Sequence, residues 1–210
     1  MSETIAKTIK RTDRLPLMEA FYTIQGEGYH QGKSAYFIRL GGCDVGCHWC
    51  DVKESWDESL FPKIKVGNIV SEAATHPANI VVVTGGEPLM HDLSILTEKL
   101  KSYSFQIHLE TSGVYPVTGS WDWICFSPKK FKRPQEDIYK VANELKVVIF
   151  NKTDFNWAEQ HASQVNEHCR LYLQPEWSKR EVMVPQIIDY VKKHPKWNVS
   201  LQIHKYMNIP

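Results

Sequence analysis

Short apolar runs alternate with amphipathic stretches along most of the chain. Residues 35–40 and 79–84 are predicted to form buried strands, because they are rich in β-branched and aromatic residues and end at glycine pairs. The same criteria predict further strands over 18–23, 105–109, 123–126, 145–150, 171–174 and 198–203. Apolar residues at intervals of three and four positions predict helices over 66–75, 91–102, 155–167 and 179–193. Strands that alternate with helices in this way favour parallel βαβ units.

This alternation predicts an α/β fold with a mostly parallel sheet, and polar segments follow its strands. Glycine pairs follow two strands at 41–42 and 85–86, and Glu-Thr-Ser-Gly follows a third at 110–113. In parallel α/β folds the carboxyl ends of the strands hold the active site. We therefore expect one domain over 1–210, with a loosely ordered lead-in over 1–17 and functional residues in the loops after the strands.

The composition narrows the class of partner. The chain has 210 residues, 42% of them hydrophobic, and its 25 basic side chains nearly balance 24 acidic ones for a net charge of +1. This balance gives no field that would recruit nucleic acid or an anionic membrane, and no apolar run approaches the roughly 18 residues that span a bilayer. The first twenty residues contain no signal-peptide core. We expect a cytoplasmic protein that binds a small molecule, with no nucleic acid and no membrane as partner.

Three of the five cysteines, Cys43, Cys47 and Cys50, fall within eight residues on a predicted loop. Clustered thiols in a reducing compartment are usually metal ligands or redox catalysts. Their spacing allows an iron-sulfur cluster, because three thiolates can converge on one face of a cubane. A redox pair would need only Cys47 and Cys50. A tetrahedral zinc site would need a fourth ligand, for which the candidates are His48, His30, Cys125 and Cys169.

The two remaining cysteines, Cys125 and Cys169, lie in apolar surroundings along the sequence. Unpaired cysteines in such positions usually behave as small buried hydrophobes. We therefore expect both to belong to the core.

The segment 43–50 resembles the Cys-x-x-x-Cys-x-x-Cys motif of the radical S-adenosylmethionine (SAM) superfamily, including the aromatic Trp49 before the last cysteine. The resemblance implies a 4Fe-4S cluster with one open iron that SAM chelates, and cleavage of SAM to a 5′-deoxyadenosyl radical. It also implies a full or partial (β/α) barrel. Residues 84–88, Thr-Gly-Gly-Glu-Pro, resemble the superfamily's second motif, whose backbone approaches the SAM amino group. Paired glycines permit such an approach.

Six segments, together with the cysteine loop, are similar to the 7-carboxy-7-deazaguanine synthase family. They are 21–28, 38–40, 84–88, 110–113, 127–129 and 202–206, and the likeness runs from about residue 18 to residue 210. It implies a carbon-nitrogen lyase that converts 6-carboxy-5,6,7,8-tetrahydropterin to 7-carboxy-7-deazaguanine by hydrogen abstraction, ring contraction and loss of ammonia, in queuosine and 7-deazapurine biosynthesis. SAM would be regenerated. The expected partners are a reductant such as flavodoxin or ferredoxin, and a second copy of the chain in a homodimer.

The resemblance assigns roles to residues near the predicted strand ends. The cluster would be held by Cys43, Cys47 and Cys50, and no protein residue is expected to be catalytic because the radical comes from SAM. SAM would be bound by Trp49, Cys50, Asp51, Gly86, Glu87, Glu110, Ser112, Ser127, Pro128, Lys129, Gln174, Pro175, Glu176 and Trp177. The pterin would be bound by Ile24, Gln25, Gly26, Glu27, Arg39, Thr84, His204 and Pro210.

The chemistry of several side chains agrees with these roles. Glu27 can accept from the guanidine-like edge of a pterin, and an acid at position 87 can accept from an ammonium group. Arg39 is a bidentate donor suited to a carboxylate, with a strand-end ion pair as the alternative interpretation. A free carboxylate on Pro210 can accept from the pterin, so a C-terminal tag is expected to impair turnover.

One residue departs from the family pattern, and two competing functions stay open. Family members often have a threonine after Cys-Asp, where its hydroxyl binds Mg²⁺, whereas this chain has Val52. Valine offers no oxygen ligand, so we expect weak or absent Mg²⁺ dependence. The competing functions are another small radical SAM enzyme, such as a glycyl-radical activase, and a non-enzymatic zinc-binding module. The charged and aromatic segment 53–62 is expected to cover the site or form a dimer contact.

Overall fold

Most of the chain is organised around a single sheet. A computed structural model describes residues 11–210, in which nine strands pair side by side. The strands are β1 (Arg14–Ile24), β2 (Ser34–Leu40), β3 (Lys63–Lys65), β4 (Ile80–Gly85), β5 (Gln106–Thr111), β6 (Trp123–Phe126), β7 (Glu144–Ile149), β8 (Arg170–Pro175) and β9 (Trp197–Val199). Their order is β3-β1-β2-β4-β5-β6-β7-β8-β9; β1 is antiparallel to both neighbours and the other pairs are parallel. The predicted α/β class is confirmed.

Helices form most of the crossovers between the parallel strands, as right-handed βαβ connections require. They are α1 (Val66–Ala73), α2 (Ser94–Ser102), α3 (Ile138–Val141), α4 (Thr153–Ala162), α5 (Arg180–Lys193) and α6 (Ile203–Met207). Four single 3₁₀ turns lie at Lys53–Trp56, Glu58–Leu60, Pro88–Met90 and Trp177–Lys179. Among the described residues, no helix is both long and apolar enough to cross a membrane.

The two faces of the central strands have different environments. Alternate residues such as Val81, Val83 and Leu109 are fully buried in the main core, which also contains apolar side chains of α1, α2, α4 and α5. Burying a side chain of this size contributes about 1.5–3 kcal/mol. On the opposite face Phe37 and Val82 form a smaller apolar cluster. The polar side chains that follow on this second face can line a cavity.

Both ends of the predicted pattern need correction. The lead-in was expected to reach residue 17, but β1 begins at Arg14 and Leu15 is fully buried; residues 1–10 lie outside the described part. The predicted strand over 198–203 is wrong in its second half. β9 ends at Val199, and the backbone N–H of Ile203 donates to the Gly26 carbonyl (3.0 Å) instead of to a neighbouring strand.

Several helix boundaries also differ from the prediction: α1 ends at Ala73 rather than at 75, α4 begins at Thr153 rather than at 155, and α5 begins at Arg180 rather than at 179. α2 begins at Ser94 rather than at 91, because Pro88–Met90 forms a separate turn that is capped by the Glu87 side chain. α4 ends at Ala162 rather than at 167. The short elements β3 and α3 have too few residues for a periodicity to be recognised. Cys125 and Cys169 are buried, as expected.

Candidate functional site

A cavity of about 300 Å³ lies at the carboxyl ends of the parallel strands. The residues that line it are spread along the chain between Phe21 and Pro210, so distant parts of the sequence meet there. Every site residue predicted from the sequence lines this cavity except Pro128, which lies between two residues that do, Ser127 and Lys129. The structure thus brings the predicted residues together, and the ligand that each one binds stays a prediction.

The cysteine loop forms one wall of the cavity. Cys47 is buried, Cys43 and Cys50 are half-buried, and all three pack near Val45 and Tyr115. Segment 53–62 is hydrogen-bonded to this loop through the backbone. Gly42 N–H donates to the Ser55 carbonyl (2.7 Å), and Cys43 N–H donates to the Trp56 carbonyl (3.1 Å). Trp56 also lines the cavity. Burial raises the pKa of Cys47 to about 11 and also raises the pKa of Cys43. A metal that binds these thiols must therefore displace their protons.

The surroundings of the candidate ligands bear on the choice between the metals considered above. Within residues 11–210, no three His, Cys, Asp or Glu side chains converge on a position for one metal ion. The His48 ring packs against Phe131 and Phe150, and the His30 ring packs against His108. Both histidines considered as a fourth zinc ligand therefore pack against other rings, and an iron-sulfur cluster stays the prediction that the three-thiol loop favours.

The glycine pair after β4 lets two loops pack backbone against backbone. Gly85 has φ of +142°, and a Cβ there would lie 2.1 Å from the Leu40 carbonyl oxygen; a Cβ on Gly86 would lie 2.3 Å from that of Gly42. In addition, Glu87 N–H donates to the Gly42 carbonyl (2.8 Å). Only glycine fits at these positions, so the loop after β4 is fixed directly against the cysteine loop.

Glu87 itself is buried and satisfied by the protein. Its carboxylate accepts from Leu89 N–H (3.1 Å), from the Thr111 hydroxyl (2.6 Å), and from both the N–H (2.8 Å) and the hydroxyl of Ser112. Four donors occupy the roughly four acceptor positions of a carboxylate. The expectation that Glu87 accepts from an ammonium group therefore finds no open oxygen; the side chain instead joins the loop after β4 to the end of β5.

A hydrogen-bonded polar layer lines the cavity; it consists of Gln25, Glu27, Glu110, Lys146 and Gln202. Gln25 Nε2 donates to Glu110 Oε1 (2.9 Å), and Gln202 Nε2 donates to Glu27 Oε1 (2.8 Å). Lys146 Nζ donates to Glu27 Oε2 and lies 3.4 Å from Glu110 Oε2. The layer connects the segment after β1, strands β5 and β7, and the segment before α6.

Electrostatics fix the charges in this polar layer. Burial alone would raise the pKa of Glu27, but the charge and hydrogen bond of Lys146, aided by Gln202 and His204, outweigh burial and lower the pKa to about 2. Burial alone would lower the pKa of Lys146, but the surrounding Cys125, Glu110, Glu27 and Glu144 raise it well above its usual value. Glu27 is therefore a carboxylate and Lys146 an ammonium.

Arg39 combines both interpretations given to it. Its Nε donates to Glu19 Oε1 at 2.5 Å, which is the strand-end ion pair, and its side chain also lines the cavity. The terminal guanidinium nitrogens make no hydrogen bond to the described residues, so they can bind a ligand carboxylate.

The C-terminal segment closes one side of the cavity. Ile203 N–H donates to the Gly26 carbonyl, Lys205 Nζ donates to Asp51 Oδ2 (2.9 Å), and the Thr23 hydroxyl donates to the Pro210 carbonyl (3.3 Å). A Cβ on Gly26 would lie 2.2 Å from His204 Nδ1, so this glycine is needed for the close approach. Burial lowers the pKa of His204, although the nearby Glu27 acts to raise it.

The two later loops supply a second set of polar groups. Lys129 Nζ donates to the Ser127 hydroxyl (2.6 Å) and lies 5.6 Å from the centre of the Trp49 ring, and burial lowers its pKa. Gln174 is buried, and its Oε1 accepts from the Ser200 hydroxyl (2.8 Å). Trp177 stacks with cations, Arg180 at 4.3 Å and Lys205 at 5.1 Å from its ring centre.

Several cavity residues were not predicted as site residues. They are Phe21, Phe37, Val45, Val52, Trp56, Gly85, Thr111, Lys146, Val148 and Gln202. Lys146 is the most consequential of them. The available signal was a single lysine inside the apolar run 145–150, at a position that alternates with the core residues Leu145 and Val147.

Comparisons with known proteins agree with this geometry. The profile of the Radical SAM superfamily matches residues 37–125. A 7-carboxy-7-deazaguanine synthase of Flavobacterium psychrophilum is 58% identical over 210 residues, covering 100% of both chains, and one of Synechocystis is 50% identical over 194 residues, covering 92% of this chain and 93% of the relative. The crystal structure of QueE from Escherichia coli matches with a TM-score of 0.80 at 30% identity, covering 90% of this chain and 93% of that one. The alignment with the Flavobacterium relative spans the whole chain, so it includes every residue that lines the cavity.

Proposed function

Since this chain belongs to the 7-carboxy-7-deazaguanine synthase family of radical SAM enzymes, we propose how its cavity is divided between cofactor and substrate. The enzyme converts 6-carboxy-5,6,7,8-tetrahydropterin to 7-carboxy-7-deazaguanine in queuosine biosynthesis, and the predicted radical SAM fold is confirmed. The observation that carries the division is a single cavity lined both by the three-thiol loop and by the polar layer.

The cofactor half is formed by the loops on the thiol side. When bound, a 4Fe-4S cluster and SAM supply the radical that removes hydrogen from the substrate, as the superfamily implies. Cys43, Cys47 and Cys50 hold the cluster, and the backbone at Gly86 approaches SAM because no side chain intervenes. Polar contacts to the zwitterionic SAM come from the Lys129 ammonium group, the Ser127 hydroxyl and the loop 174–177.

The substrate half is formed by the polar layer and the C-terminal segment. Glu27 is ionised and accepts from the N–H groups of the aminopyrimidine ring. The free nitrogens of Arg39 bind the substrate carboxylate, which orients the ring. Thr84 and His204 line the space between them.

Mg²⁺ is not held by the protein at the position after Asp51. Val52 lines the cavity there with hydrocarbon only, and Mg²⁺ requires oxygen ligands. We also propose that the enzyme acts in the cytoplasm as a homodimer and receives electrons from a flavodoxin or ferredoxin. The free state of all five cysteines supports a reducing compartment.

An anaerobic assay tests the proposal. Protein with a reconstituted cluster is incubated with SAM, a reductant and the carboxypterin, and the deazaguanine product is followed by its absorbance. We expect brown protein with about four irons per chain and formation of the product. The variant Cys47→Ala should lose iron and activity, whereas Cys169→Ala, a buried cysteine away from the cavity, should keep both.

Two results would contradict the proposal. Colourless protein with one zinc would restore the zinc-module interpretation, and cleavage of SAM without any product from the pterin would favour another radical SAM reaction. Size-exclusion chromatography with light scattering tests the homodimer separately.

A further inference from the structure

We infer that Lys146 is a positioning residue of the pterin pocket, whose ammonium group holds Glu27 and Glu110 side by side as two ionised acceptors for ring N–H groups. This inference rests on the proposed function. It assigns Glu110, expected from the resemblance to contact SAM, to the same layer as Glu27.

The position of Lys146 in β7 makes it a shared partner of both acids. Its side chain is 5% exposed, and those of Glu27 and Glu110 are 14% and 24% exposed, so bulk water does little to separate the three charges. Nζ contacts one oxygen of each carboxylate. The other oxygen of each accepts from an amide, Gln202 for Glu27 and Gln25 for Glu110.

These contacts leave unused acceptor positions on both acids. An ionised carboxylate has about four lone-pair positions, of which two are used on each acid. Gln25 Oε1 is already occupied by Glu27 N–H (3.0 Å). This part of the cavity therefore offers mainly acceptors, and it fits a ring edge with several adjacent N–H groups, such as an aminopyrimidinone. It disfavours the corresponding 2-oxo ring.

Removing the cation should change the charge of the layer. The charged and titratable groups that act on Lys146 are Glu27 from the segment after β1, Glu110 of β5, Cys125 of β6, Glu144 of β7 and Lys129 of the loop after β6, and His204 of α6 acts on Glu27. Without Lys146, two partly buried acids would face each other, and Lys129 would be a remaining cation that acts on Glu27. Like charges in such a position share a proton. A protonated oxygen donates instead of accepting, and it would repel a ring N–H.

The first test uses the ligand-free protein. Infrared difference spectra of wild type and Lys146→Met are recorded between pH 8 and pH 5, with Glu27→Gln to assign the bands. We expect Glu27 to be a carboxylate throughout in wild type, and we expect Lys146→Met to add a protonated carboxyl band beyond any from Glu144, whose pKa burial raises. Identical spectra would overturn the inference. This result does not depend on turnover, so it stands or falls separately from the proposed function.

The second test measures turnover. Lys146→Met should raise KM for the pterin by about 10- to 100-fold, with kcat changed less than about threefold and SAM affinity unchanged. Its KM should rise further as the pH falls from 8 to 6, whereas that of wild type stays constant. Lys140→Met, which removes an exposed lysine, should match wild type. An unchanged KM, or a lower kcat with unchanged KM, would overturn the inference.

A double variant covers the case in which Lys146→Met does not fold. Lys146→Met/Glu27→Gln removes one charge of each sign, so the layer keeps its net charge. We expect it to fold, to bind the pterin weakly and to show no pH dependence of KM between 6 and 8. Pterin affinity equal to that of wild type in this variant would overturn the inference. If wild type itself fails to convert the pterin, the proposed function fails instead.

Discussion

At the scale of single residues, Val52 is predicted to change the metal requirement of the site. It lines the cavity directly after Asp51, and its methyl groups cannot bind a hard cation. We expect added Mg²⁺ to raise the initial rate of wild type less than about twofold after chelator treatment. Val52→Thr should gain a clear Mg²⁺ dependence, because it supplies a hydroxyl at that position.

Val148→Thr provides the matched control for this experiment. It places the same hydroxyl on another valine of the cavity wall and should not create Mg²⁺ dependence. A large Mg²⁺ stimulation of wild type would show that Asp51, the substrate or water supplies the metal site without residue 52.

The residues of the site differ in how far the sequence could predict them. The cysteines were recognisable because their spacing is local. The partner of Lys146, Glu27, lies 119 positions away in the chain, and no local pattern indicates such a pair. Glu87 was expected to contact a ligand, but three of its four donors come from β5 and the residue after it, 24 and 25 positions later. A residue whose role depends on a distant partner is identified only by the fold.

At the scale of elements, the packing of α6 against the segment after β1 depends on one glycine. Gly26→Ala would place a Cβ 2.2 Å from His204 Nδ1 and 2.9 Å from His204 Cβ, so the helix itself must shift. We expect kcat/KM for the pterin to fall by about 100-fold, because the displaced segment no longer closes the cavity. Steady-state kinetics and limited proteolysis at residues 203–207 measure the two effects.

Gly67→Ala is the matched control for this substitution. Gly67 lies in α1, and a Cβ added there would meet no atom within 4 Å, so alanine should stabilise the protein by about 0.5–1 kcal/mol without changing kinetics. If Gly26→Ala kept wild-type kcat/KM, the C-terminal segment would not be part of the substrate site.

Strand types were predicted better than strand ends. β6 matches its predicted range at both ends, and β2, β4 and β7 differ from their predicted ranges by no more than one residue at each end. Buried parallel strands can be predicted this well because they form a continuous apolar run. The end of the chain could not be predicted in this way. Residues 200–203 look like a strand extension, and only the hydrogen bond from Ile203 to Gly26 shows why the chain turns into a helix.

At the scale of the whole molecule, buried histidines determine how stability depends on pH. Burial lowers the pKa of His30, His108 and His161 to about 4, with Lys33 contributing at His30 and His30 at His108. Between pH 6.5 and pH 4 these rings bind protons in the unfolded chain but not in the native one. The free energy of unfolding therefore decreases as the pH is lowered through this window, by at most about 1.4 kcal/mol per pH unit for each histidine.

Denaturant unfolding at a series of pH values measures this dependence. His108→Gln should reduce the slope between pH 6.5 and pH 4, since one titrating ring is removed. His168→Gln, which removes a histidine with an 88% exposed side chain, should leave the slope unchanged. Below pH 4.5 a further loss should follow, because Glu27 with its pKa of about 2 then begins to bind protons only in the unfolded chain. A flat profile down to pH 4 would contradict the assignment of neutral buried rings.

The helix that closes the cavity carries little of the stability of the fold. α6 has five residues, none of them buried, and a few hydrogen bonds and one ion pair attach it to the rest of the chain. Its local opening therefore costs much less than unfolding the sheet. We therefore expect substitutions in α6 to change how fast product leaves while the melting temperature of the enzyme stays the same.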